Sequence, residues 1–123
     1  MWNWIKRQAQ RIWNMFNYVQ RKLRKAAKYL KYIAERILPI AVELNLPWMQ
    51  RLSQVIGYAQ LVLGAIDQVD AVTAKEWLLK ALMQLQDFVD KTGDKLSEEI
   101  LAEFYAIEQK ILALLAKIEE KLR

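Results

Sequence analysis

The sequence predicts an all-α protein: an antiparallel four-helix bundle with an unusually long, basic N-terminal helix. Three observations carry that prediction. Apolar residues recur in alternating steps of four and three through the first third: Ile5, Ala9, Ile12, Phe16, Val19, Leu23, Ala26, Leu30, Ile33 and Ile37. This heptad spacing draws one apolar seam down one side of a helix, the pattern that buries a helix against other helices. The spacing returns in three later segments, each bounded by residues that start or stop helices. No stretch alternates apolar and polar residues as a half-buried strand does. Four helices joined by short loops form an antiparallel bundle, and a period of seven implies shallow left-handed crossings.

The first helix is expected over about residues 3–38. Around its seam stand Lys6, Arg7, Arg11, Arg21, Lys22, Arg24, Lys25, Lys28, Lys31 and Arg36, against Glu35 alone. Pro39 lacks an N–H and clashes with the preceding turn, so it predicts a kink or an end. Ile40, Ala41 and Leu44 keep the apolar spacing and allow a kinked extension over 40–45.

Pro47 stands where first-turn prolines stand, which places the second helix at 47–70. Its seam is Trp48, Leu52, Val55, Ala59, Val62, Ile66 and Val69, widened by Met49, Ile56 and Leu63. Tyr58, Leu61 and Ala65 occupy the opposite face, and a helix apolar nearly all round is buried on all sides. Gly57 and Gly64, seven apart on one face, either admit a close neighbour or leave space for a ligand. Close packing is the expected use.

Thr73-Ala-Lys-Glu76 matches a capping box, and Val72 and Trp77 flank it as a hydrophobic staple does. The third helix is therefore expected over 74–91, with Ala74, Leu78, Ala81, Leu85 and Phe88 as its seam. Gly93 is the expected left-handed stop. Ser97 caps a fourth helix over 98–122, with Glu98 and Glu99 complementing the dipole of its first turn. Its seam is Phe104, Ile107, Ile111, Leu114 and Ile118, broadened by Leu101, Tyr105, Leu112, Leu115 and Leu122.

A chain of 123 residues is the size of one domain, 1–123. With 54% hydrophobic residues it can bury a core, which excludes a disordered chain. It has no cysteine and no histidine. Disulfides, thiolate chemistry, the commonest general base and the commonest transition-metal ligand are all ruled out. The paired carboxylates (Asp67 with Asp70, Asp87 with Asp90 and Asp94, Glu98 with Glu99, Glu119 with Glu120) sit at helix ends or outer faces. Di-metal carboxylate bundles need inward Glu-x-x-His motifs, which this chain lacks. Glycines at 57, 64 and 93 cannot form a phosphate loop. The expectation is a protein that is not an enzyme, with no cofactor, no metal and no evident small-molecule substrate.

The net charge of +5 hides a split: residues 1–38 carry ten bases and one acid, net +9, and residues 39–123 nine bases and thirteen acids, net −4. Charge runs on helices are usually solvated or paired faces, so pairing with the acidic helices is the expected explanation. An anionic partner, a lipid surface or nucleic acid, is the alternative. No secretion signal is evident in Met1-Trp2-Asn3-Trp4-Ile5-Lys6-Arg7. The run Val55–Ile66 falls short of the roughly 20 residues a transmembrane helix needs. These features predict a soluble or peripheral protein and leave its localisation unknown.

At ~1.5 Å per residue the first helix is roughly 52 Å long, against about 34, 27 and 37 Å for the others. Its first turns should overhang unless it breaks near Asn14–Asn17 and folds back. Those turns hold Trp2, Trp4, Ile5, Ile12 and Trp13, large apolar groups that rarely stand in water as a patch. The candidate site is therefore an association surface. Trp2, Trp4, Ile12 and Trp13 are its anchors, and Arg11, Arg21, Arg24, Lys25, Lys28 and Lys31 its charged face. Self-association through the first or second helix is the expected use.

The heptad repeat in all four helices, the capping box with its staple, the Ser-Glu-Glu start at 97 and the Thr-Gly-Asp-Lys loop resemble computationally designed helical bundles. That resemblance implies a structural or assembly bundle without catalysis or natural function. The segregated charge departs from design practice, which intersperses both signs; so do the many glutamines, Pro39 and the irregular glycines. Small phage or bacterial membrane-associated proteins share these features, and that likeness implies a membrane-surface or nucleic-acid-binding module acting through the first helix.

Overall fold

The computed structural model describes residues 2–68 and 70–122. Its helices are α1 (Trp2–Glu43), α2 (Gln50–Ala65), α3 (Ala71–Thr92) and α4 (Glu98–Leu122), with a short 3-10 turn at Gly93–Lys95. No strand occurs among the described residues. α1 packs against α2 and α4, α2 packs against α3, and α1 also meets α3 across the core. Ala26, Ala27, Ala34 and Ala41 of α1, all fully buried, keep its core side small. Polar ties fix the directions. Lys75 meets Glu119 at 3.1 Å and Gln86 donates to Glu108 at 2.9 Å, so α3 and α4 run antiparallel. Arg36 meets Glu103 near one end and Lys121 covers the Tyr18 ring near the other, so α4 also runs antiparallel to α1.

From Val19 onward the core follows the predicted seams, except that Trp48 of the second and Tyr105, Leu112 and Leu122 of the broadened fourth are exposed. Leu23, Leu30, Ile33 and Ile37 of α1 interdigitate with Leu52, Leu78, Leu85, Phe88, Phe104, Ile111 and Ile118. Thr92, buried in this apolar interior, satisfies its hydroxyl by donating to the Phe88 carbonyl at 2.7 Å. The seam members Ile5, Ala9, Ile12 and Phe16 are exposed instead, because no other helix reaches that far along α1.

Several boundaries differ from the sequence expectation. α1 runs through Pro39 to Glu43, taking the extension beyond 38 that Ile40 and Ala41 allow. Ile37 and Ala41, both fully buried, hold the turn together on the core side. Glu35, whose carbonyl loses its donor to Pro39, is exposed along with the proline, so the missing bond falls on the solvent side of α1. The helix stops at Asn45, which takes the left-handed conformation (φ 50°). Leu46 N–H donates to Ala41 at 2.9 Å and Asn45 N–H to Val42 at 3.1 Å, the paired bonds of a Schellman cap. Leu46, buried beneath the cap, supplies its apolar contact.

α2 begins at Gln50, not Pro47, because Trp48 is also left-handed (φ 64°) and cannot join a helix. The Trp48 ring lies 5.0 Å beneath the Lys91 ammonium, and Arg51 pairs with Asp87, so the turn is tied to the end of α3. α2 ends at Ala65 and not at 70, followed by a turn over 66–68; Val69 lies outside the described residues. It is not buried all round: Leu61 stands on an open face beside Gly57 and Gly64. A methyl group at either glycine would meet no atom within 4 Å, so neither admits a close neighbour.

α3 starts at Ala71, with Asp70 and not Thr73 as its cap. The Asp70 carboxylate accepts from the Thr73 amide at 2.8 Å and from its hydroxyl at 3.0 Å. Thr73 is thus a capping partner inside the first turn, and the exposed Val72 staples nothing. Gly93 is right-handed (φ −59°) and passes the chain into the 3-10 turn. Ser97 caps α4 as the sequence implies, accepting from the Ile100 amide at 3.2 Å.

Candidate association surface on the first helix

The 42 residues of α1 extend about 63 Å at ~1.5 Å per residue. The first fully buried member of its seam is Val19. Residues 2–18, about 25 Å of helix, project beyond the ends of the other three helices as a tip. α1 does not break at Asn14–Asn17; the helix is continuous through them.

The tip presents most of the large apolar side chains that the sequence singles out. Relative exposures are 67% for Trp2, 62% for Trp4, 63% for Ile12 and 60% for Trp13. Three further residues, Ile5, Met15 and Phe16, are also exposed. At 100° per residue, Ile5, Ala9, Ile12 and Phe16 form one stripe with Trp2 and Trp13 along its edge. Trp4 and Met15 lie on the far flank of that stripe. Trp13 and Phe16 stack loosely, ring centroids 6.3 Å apart, and Lys6 lies 5.5 Å over the Trp2 ring. Phe16 belongs with the anchors; its place in the heptad was the signal for it.

The cations occupy the other side. Arg21, Lys25 and Lys28 fall on the arc of α1 facing away from its seam, while Arg24 and Lys31 lie on the flank that carries Trp13. An open polar hollow lined by Asn14, Asn17, Gln20, Arg21 and Arg24 lies along it. Arg11 lines a second hollow with Met15, Tyr18, Arg21 and Lys121 on the flank toward α4. The expected pairing with acidic helices is sparse. Arg24 approaches Asp67 at 3.9 Å, Arg36 meets Glu103 at 3.4 Å, and Lys31 pairs within α1 with Glu35 at 3.7 Å. Among the described residues no carboxylate lies within 4 Å of Lys6, Arg7, Arg11, Arg21, Lys22, Lys25 or Lys28.

At the root of the tip, Gln20 donates to the Ile66 carbonyl and to Asp67, each at 3.2 Å. Tyr18 lies between two ammonium groups, Lys22 at 5.2 Å and Lys121 at 5.4 Å from its ring. These contacts mark where the ends of α2 and α4 meet α1. Farther along, Tyr32 donates to Glu103 at 2.8 Å; that bond and the nearby negative charge raise the phenol above its ordinary range. It is an exposed structural contact, shared with Arg36 through Glu103.

Among the described residues no group of acidic side chains is arranged to hold a metal ion. No helix is long and apolar enough to cross a membrane. No known family, curated protein or solved structure matches this chain.

Proposed function

We propose that this protein is a non-catalytic assembly bundle, a four-helix base that holds out the tip of α1 as an association element. The observation that carries this reading is the apolar stripe of the tip, which continues the core seam of α1 into solvent. Each large apolar side chain gains about 1.5–3 kcal/mol on full burial. An exposed ion pair contributes only about 0–1 kcal/mol. The stripe therefore decides whether the tip associates, and the cations bias what it meets.

A second reading rests on a separate observation. The first acid in the chain is Glu35, after nine bases, and Arg7, Arg21, Lys25 and Lys28 share the side of α1 opposite its seam. That face suits an anionic surface, of lipid or nucleic acid, whose counterions it would displace.

Replacing Trp2, Trp4 and Trp13 together by Gln tests the association reading. The mass by light scattering, and binding to anionic liposomes and to DNA, are compared with the parent protein at two salt concentrations. An oligomer built on the stripe should dissociate at any salt, whereas binding to an anionic surface should weaken as salt rises, since exposed charges are screened over ~8 Å at physiological ionic strength. A parent protein that is monomeric and binds neither liposomes nor DNA at low salt would overturn both readings.

A further inference from the structure

We infer that the occupant of the tip is the tip of a second copy, packed antiparallel across a twofold axis so that each fills the notch beside the other's bundle. The inference rests on the association reading and adds the partner, its direction and its register.

Continuity comes first. Ile5, Ile12 and Phe16 hold the same heptad phase as Val19, Leu23 and Ala26, which are buried against the other helices of the chain. The stripe is an existing helix interface with its neighbours missing. Shape narrows the occupant further. α2, α3 and α4 all pack on the seam side of α1, and the contacts of Gln20 and Tyr18 place the ends of α2 and α4 at the root of the tip. The tip is one wall of a notch and the end of the bundle is its floor. A flat bilayer, or a duplex laid along the stripe, meets that floor before it reaches Ile12 or Phe16. A single helix about as long as the notch fits.

The tip of a second copy has that length by construction. Parallel pairing would force both bundles onto the same side at the same level, where they collide. Antiparallel pairing puts each bundle beyond the end of the opposite tip, and the contact becomes isologous and closed. Antiparallel heptads pack the two seam positions against each other in alternating layers. With the overlap ending short of the buried Val19, Ile5 faces Phe16 of the second copy and Ala9 faces its Ile12, while Trp2 reaches the end of the opposite bundle. Small residues meet larger ones in each layer, and the overlap ends where the bundle begins. Arg7 and Arg11 lie off the stripe, and Lys6, over the Trp2 ring, stands at its rim.

The chain has no cysteine, which makes disulfide mapping unambiguous. Ile5→Cys and Phe16→Cys proteins, mixed and oxidised, should cross-link to each other, while Ile5→Cys alone should give little covalent dimer. Sedimentation of the parent protein in the tens-of-micromolar range should give twice the chain mass of 14.6 kDa, undiminished by high salt. Ile12→Asp should return it to a monomer. That variant leaves the base intact because the core begins at Val19, so helical circular dichroism and a cooperative melt serve as its folding control.

Efficient Ile5–Ile5 cross-linking would mean a parallel pair and would overturn the proposal. A parent protein that stays monomeric overturns it as well. If that monomer binds phosphatidylserine vesicles or DNA, the association reading survives with a different partner; if it binds neither, both fall.

Discussion

The two parts of α1, residues 2–18 and residues 19–43, are written in one pattern and meet opposite environments. Both carry an apolar residue every third or fourth position, and both belong to one uninterrupted helix. In the second part the seam is sealed: Leu23, Leu30, Ile33 and Ile37 are all but fully buried. In the first, Ile12 is 63% exposed. What separates them is the length of their neighbours, with α2 only 16 residues long and α4 25. A heptad states that a face wants covering; it does not state what covers it. Helix nucleation adds a further contrast. The tip has no tertiary contacts of its own along its stripe, and its helix propagates from the turns that the base nucleates.

Substitutions can sharpen or break this contrast. The largest effect belongs to the sealed part: Leu30→Ala should cost about 2–5 kcal/mol, measured as a shift in the denaturant midpoint. A cost under half of that would mean the base is packed more loosely than its burial indicates. Next comes the cap that ends α1. Asn45→Ala places a less tolerant residue in the left-handed region and should cost about 1–2 kcal/mol, while Asn45→Gly should be close to neutral. Equal losses for both variants would show that the Asn side chain, and not its backbone, holds the cap.

Asp70→Ala should lower the melting temperature at pH 7 by a few degrees and Thr73→Ala by less, since Asp70 is the cap. The Thr73 amide and hydroxyl, both donating to the Asp70 carboxylate, hold its pKa below the ordinary 3.8. A depressed carboxyl stabilises the fold above its unfolded pKa and loses that contribution as pH falls through the folded one. The difference between parent and Asp70→Ala melts should therefore shrink below pH 3.8 and vanish in stronger acid. A difference independent of pH would remove the carboxylate from the cap.

The smallest effect is expected on the tip. Ile12→Ala, tested at high dilution where the chain is monomeric, should move the denaturant midpoint by no more than about 0.5 kcal/mol. A shift as large as that of Leu30→Ala would mean that the tip folds onto its own bundle in solution.

Much of the architecture was legible before any coordinates. Heptad phase located the seams, and Ser97 followed by two glutamates marked the start of α4. The errors cluster at turns, for a common reason. Asp70-x-x-Thr73 and Thr73-x-x-Glu76 are overlapping capping patterns, and pattern alone does not choose between them. Pro47 suits a helix start, but the left-handed Trp48 postpones it. Pro39 left a kink or an end open, and α1 continues to the cap at Asn45 because burial of Ile37 and Ala41 outweighs the bond that Pro39 cannot make. Gly57 and Gly64 look like packing positions in a linear pattern and face open solvent in three dimensions. At the candidate site, the difference in helix lengths already implied an overhang, and Phe16 could have been added to its anchors from phase alone. The isolation of the basic face could not be foreseen, since it depends on which acids the bundle brings within reach.

The placement of the tryptophans gives this molecule a built-in optical division. Three of the five, Trp2, Trp4 and Trp13, stand on the tip; Trp48 sits in the turn after α1, and Trp77 lies half-buried against the core. Intrinsic emission is thus weighted toward the part of the chain that contributes least to the core. In a monomer the three tip indoles are already hydrated, so melting the bundle alters chiefly the signal of Trp48 and Trp77. Emission and circular dichroism would then report two different events in one sample: emission the covering of the tip, and dichroism the integrity of the helices beneath it.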